Sequence, residues 1–139
     1  MLPSVRSFLI LGSFLGVVLS TVSVSASENK IYVKNCSSSA HFTVYFYDGG
    51  DRFDDIPAIA VKLAPGDTGA GKCARGIFSN AHCQYKVENT KKGKISDDIW
   101  NAIKTIGATA KKIKNKQWLT IDPNSDSLIN IDDDEPACS

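Results

Sequence analysis

The chain has 139 residues and a mass of 15.0 kDa, with four cysteines and a formal net charge of +1 at pH 7. That length suits one ordinary domain, and the near-neutral total excludes a globally basic nucleic-acid binder as well as a globally acidic chain. Ten glycines and five prolines exclude a collagen-like or low-complexity polymer.

The chain opens with the pattern of a secretory signal peptide, expected over residues 1–26. Arg6 supplies the positive start, residues 8–19 (FLILGSFLGVVL) form an apolar run, and Val24-Ser25-Ala26 offers small residues for cleavage before Ser27. Twelve helical residues rise about 18 Å, short of a hydrocarbon core about 30 Å thick, so an export signal is favoured over a membrane anchor. Residues 27–139 then form a single disulfide-stabilised globular domain with an acidic C-terminal tail, and the expected localisation is secreted.

All four cysteines, Cys36, Cys73, Cys83 and Cys138, fall after the leader. An even count in an oxidising compartment implies two disulfides. Three connectivities are open; a local Cys73–Cys83 pair with Cys36–Cys138 spanning the domain is the preferred arrangement. There is no C-x-x-C pair, which argues against zinc.

Strand patterns follow in order. Ile31 and Val33 alternate with polar neighbours, and in residues 41–47 (HFTVYFY) Phe42, Val44 and Phe46 share one face while Tyr45 and Tyr47 share the other. Ile59, Val61 and Leu63 form a third run, stopped by Pro65-Gly66. Tyr85 with Val87, Leu119 with Ile121, and Ile129 with Ile131 give three more candidates. The fold class expected is mainly β: a small antiparallel β-sandwich of about six short strands with one amphipathic α-helix and two disulfides. The run Ile31-Tyr32-Val33-Lys34-Asn35-Cys36-Ser37, with Leu63-Ala64-Pro65-Gly66 later, resembles the first strands of thaumatin-like proteins over about a quarter of the mature chain. That framework is much richer in cysteine, and no functional residue is carried over from it.

The helix is expected over residues 96–115. Ile99, Ile103, Ile106, Ala110 and Ile113 fall on one stripe, Ser96 can cap the start, and lysines gather at the far end. Gly107 inside it suggests close approach to a sheet or to a membrane surface.

Charge is segregated along the chain. Residues 86–116 carry nine lysines against Glu88, Asp97 and Asp98, a net +6, whereas residues 117–139 carry six acids and no base. On one reading the basic helix engages an anionic membrane or a host or cell-surface partner, with Trp100 as interfacial anchor and Lys104, Lys111, Lys112, Lys114 and Lys116 as contact charges. The acidic tail would then mask those lysines. On the other reading the isoleucine stripe packs on the sheet and the lysines face water.

The function expected is a secreted, non-enzymatic interaction protein of toxin, defence or effector type, with no nucleic-acid partner, no metal and no cofactor. A first alternative is a binding module for glycan, protein or calcium, using the Tyr45–Tyr47 face or the loop holding Asp48, Asp51, Asp54 and Asp55. A second is a small hydrolase or ribonuclease using His41 and His82 as an acid–base pair. Asn35-Cys36-Ser37 is also a formal N-glycosylation sequon.

Overall fold

A computed structural model describes residues 30–47, 59–73 and 82–139. The expected signal peptide and the aspartate-rich segment expected as a loop at 48–55 lie outside the described residues. In chain order the elements are β1 (Ile31–Asn35), β2 (His41–Tyr47), β3 (Ile59–Leu63), β4 (Thr68–Gly71), β5 (His82–Lys91), α1 (Asp97–Gly107), β6 (Lys111–Lys114), β7 (Trp118–Ile121) and β8 (Ile129–Asp132). They make two four-stranded sheets: sheet I in the order β4-β1-β7-β8, and sheet II in the order β3-β2-β5-β6. Every pairing is antiparallel except that of β1 with β7.

The core follows from period-two alternation. Ile31, Val33, Leu119 and Ile121 of sheet I face Phe42, Val44, Phe46, Leu63, Val87 and Ile113 of sheet II, all buried. β-Branched and aromatic side chains fit this half-buried pleated surface. The opposite parity points outward on each sheet: Tyr32, Lys34, Trp118 and Asp132 on sheet I, and Tyr45, Lys62, Lys86, Glu88, Lys112 and Lys114 on sheet II.

Two strands exceed the expected set. β4 (TGAG) has no apolar alternation and is a strand because β1 offers its free edge. A Cβ at Gly71 would stand 2.7 Å from the Phe46 ring, so the missing side chain is what lets that ring fill the core. β6 corrects the expected helix. The helix ends at Gly107, and residues 111–114 leave it to pair with His82–Tyr85. Ile113 satisfies both periods, but buried backbone groups along the first half of β5 need partners, and a strand supplies them where a helix cannot. Beyond Tyr85 the edge of β5 is free of β6, and α1 lies along it.

The helix N-terminus matches its sequence signals. Ser96 Oγ accepts from Ile99 N at 3.3 Å, and Asp97 and Asp98 occupy the first turn, where the helix dipole favours anions. Ile103 is fully buried, and Ile99, Trp100 and Ile106 pack against the core.

The disulfides are Cys36–Cys138 and Cys73–Cys83, with sequence separations of 102 and 10. The first fastens the tail to the end of β1, and the second links the segment after β4 to β5, joining the two sheets. Such bridges fit an extracellular protein. No helix among the described residues is long and apolar enough to cross a membrane.

Candidate functional site

The outer side of sheet II carries tyrosine, lysine and glutamate side chains in neighbouring rows. The register sets Tyr45 opposite Lys86 and Ala60, Thr43 opposite Glu88 and Lys62, and places Tyr47, Gln84 and Lys112 in a third row. Tyr45 Oη donates to Glu88 Oε1 at 2.8 Å. That hydrogen bond, then burial and the negative charge of Glu88, raises the Tyr45 phenol above its ordinary pKa. Tyr47 is 8% exposed, whereas Tyr45 is half-buried. Lys104 and Ala108 at the end of α1 close one side, giving a groove of about 510 Å3 between helix and sheet. The helix therefore flanks Tyr45 without burying it, whereas Tyr47 is buried at the base of the groove, and Lys104 joins Lys86 at the rim.

The other expected contact residues scatter. Trp100 is turned inward: its ring lies 5.7 Å from that of Phe42, and its carbonyl accepts from Asn89 Nδ2 at 2.9 Å. Trp100 is thus partly buried and packed against the core. Lys104 is on the helix, Lys111, Lys112 and Lys114 are on β6, and Lys116 is in the following turn at φ 76°. Lys112 and Lys114 stand on the outer side of sheet II, while Lys111, registered with core-facing Tyr85, stands on the other side of the strand. β6 is an edge strand, and lysines there also discourage pairing with a foreign strand.

The acidic tail does not mask these lysines. It crosses the outer side of sheet I, where Glu135 pairs with Lys34 Nζ at 3.1 Å and Asp133 Oδ1 accepts from Gln117 Nε2 at 3.1 Å. Cys138 then bonds Cys36, and Ser139 N donates to Asp122 Oδ2 at 2.7 Å. The expected mask is instead a strap fixed to the opposite layer.

His41 and His82 are not a pair. His41 begins β2 opposite Lys91, whereas His82 lies beyond Gln84, which sits opposite Tyr47 at the far end of β2. Six strand residues put about 20 Å between them, too far for joint acid–base work. Asp48, Asp51, Asp54 and Asp55 lie outside the described residues, and among the described residues no three His, Cys, Asp or Glu are grouped to hold a metal ion. Asn35 is 1% exposed, with its Nδ2 donating to Ala40 O at 2.8 Å and Ala64 O at 3.0 Å, so the folded sequon offers nothing to a glycan.

Glu88 was missed as a site residue, because only the register of β2 against β5 brings it to Tyr45; one strand read alone carries no such signal. Compared with protein-family models, with curated proteins and with solved structures, the chain matches none.

Proposed function

We propose that this protein is exported and binds, without catalysis, an anionic glycan at a cell surface through the outer side of sheet II. The observation that carries this reading is the groove holding Tyr45, Tyr47, Lys86, Glu88 and Lys104, with Lys112 and Lys114 alongside. A tyrosine offers a flat apolar body for a sugar ring together with a polar tip, and lysines supply charge for carboxylate or sulfate groups. Glu88 fixes the Tyr45 hydroxyl and accepts hydrogen bonds of its own. A bilayer is the weaker partner, since the isoleucine and tryptophan side of α1 is spent on β5 and the core. The two disulfides suit this extracellular setting, and a toxin, defence or effector role is compatible with it.

The test is binding of the oxidised protein to a sulfated or uronic-acid polysaccharide, against a neutral polysaccharide and anionic vesicles, at low and high salt. The expected result is binding to the anionic polysaccharide, weakened by salt and lost in Tyr45→Ala and Lys104→Ala. Equal binding to the neutral polymer, or vesicle binding that survives both substitutions, would overturn it.

A further inference from the structure

The net charge of +1 conceals two surfaces of opposite sign on opposite layers. Among the described residues of its strands, the outer side of sheet II presents Lys62, Lys86, Lys112 and Lys114 against Glu88. The outer side of sheet I presents Asp132, Asp133, Asp134 and Glu135, all exposed, with Lys34 already paired to Glu135 at 3.1 Å. One molecule cannot bring these surfaces together, because its own core separates them. Two molecules can.

We propose that copies of this chain associate head to tail, the lysine side of sheet II in one copy seating on the acidic strap of sheet I in the next. Charge complementarity selects a second copy as occupant and also selects the geometry. A two-fold contact would set like charges against each other on either face, whereas a heterologous contact pairs them. Since the two faces lie on opposite layers, the same contact can repeat, and the expected product is an open chain of subunits. The strap is prepared for this role: the Cys36–Cys138 bond, the Lys34 amine donating to Pro136 O and the Asp122 carboxylate accepting from Ser139 N hold its backbone in place, so little ordering is left to pay on association. Beside it Tyr32 and Trp118 stack with ring centroids 4.8 Å apart, and Tyr45 stands on the lysine side, giving each surface an aromatic centre. An anionic glycan would compete with the neighbour's strap for the same lysines.

Sedimentation of the oxidised protein tests this. At about 10 mM salt, where the Debye length is about 30 Å, the average mass should rise above the monomer with concentration. At about 1 M salt, where it is about 3 Å, the apparent dissociation constant should be weaker by about tenfold or more. The decisive arm is charge exchange. The pair Lys112→Glu with Lys114→Glu, and separately Asp132→Lys with Asp134→Lys, change exposed side chains only and should each remain monomeric. Mixed in equal amounts, the two variants should associate, because each reversed face then meets a partner of opposite sign. A wild type that stays monomeric at low salt, an assembly indifferent to salt, or either reversed variant assembling alone would overturn the proposal. Glycan binding retained by a strictly monomeric wild type would overturn this inference and leave the glycan reading standing.

Discussion

Asn35 shows how much one side chain can hold. Its Oδ1 accepts from Ser37 N at 2.9 Å, while Nδ2 serves carbonyls of both the 37–40 turn and the end of β3. Replacing it by alanine leaves several buried groups without partners, and each such group costs about 1–3 kcal/mol. Asn35→Ala should therefore lower stability by about 3 kcal/mol, read by urea denaturation. A loss under about 0.5 kcal/mol, the range of an ordinary surface change, would contradict that accounting. The sequence displayed this residue as a glycosylation site, because a sequon is a local pattern while burial is a property of the packed sheets. The tyrosines make a second prediction at this scale. Tyr45 is raised chiefly by its bond to Glu88, and Tyr85 by burial alone. Both phenols hold their protons more tightly folded than unfolded, so their contribution is complete below about pH 10 and is lost as pH rises through the folded values. Alkaline titration by phenolate absorbance should show Tyr45 and Tyr85 titrating late in the native protein, with the Tyr45 component abolished in Tyr45→Phe. Tyrosines that all titrate together near pH 10 would count against both environments.

At the scale of elements, the strands were readable wherever alternation coincided with burial. β2 is the clearest case: Phe42, Val44 and Phe46 are all buried, as their spacing indicates. β4 was unreadable because glycines carry no pattern, and its identity comes from β1 and from the Phe46 ring above it. The helix was half readable. Its start is encoded in Ser96, Asp97 and Asp98, but its end is set by β5, which takes residues 111–114 as a strand partner. Gly107 marks that junction: a Cβ there would stand 2.6 Å from Val87 O and 2.8 Å from Val87 Cβ. Helix propensity alone favours alanine over glycine by about 1 kcal/mol, yet overpacking against backbone typically costs about 1–3 kcal/mol and cannot relax as a side chain would. Gly107→Ala should thus lower the melting temperature, and an unchanged or higher value would show that the helix sits further from β5 than described. The same junction moves Lys111, Lys112 and Lys114, expected at the far end of the helix, onto a strand. Lys112 and Lys114 belong to sheet II, where Lys112 lines up with Gln84 and Tyr47 and Lys114 follows on the same side, whereas a helical projection separates the two lysines.

For the whole molecule, the two disulfides divide the work by loop length. In the loop-entropy account a closure of about 100 residues contributes about 4.7 kcal/mol and one of about 15 residues about 3 kcal/mol. Cys36→Ser with Cys138→Ser should accordingly destabilise more than Cys73→Ser with Cys83→Ser, as compared by denaturant midpoints. The reverse order would show that the link between sheets matters more than the long closure. Loss of Cys138 should also free the strap, leaving Lys34 and Asp122 without their tail partners.

The charge blocks were legible as segments of sequence, but their placement was not. Nothing in the order of residues assigns the lysines to sheet II and the acids to the far side of sheet I; the strand order does. That placement underlies the central claim, that the tyrosine and lysine side of sheet II is the binding surface. The most direct measurement is an amide chemical-shift map of the oxidised protein titrated with a sulfated oligosaccharide. The predicted result is a contiguous set of shifts at Tyr45, Lys86, Glu88, Lys104 and Lys112. Shifts gathered around Tyr32 and Trp118, or none at saturating ligand, would contradict it.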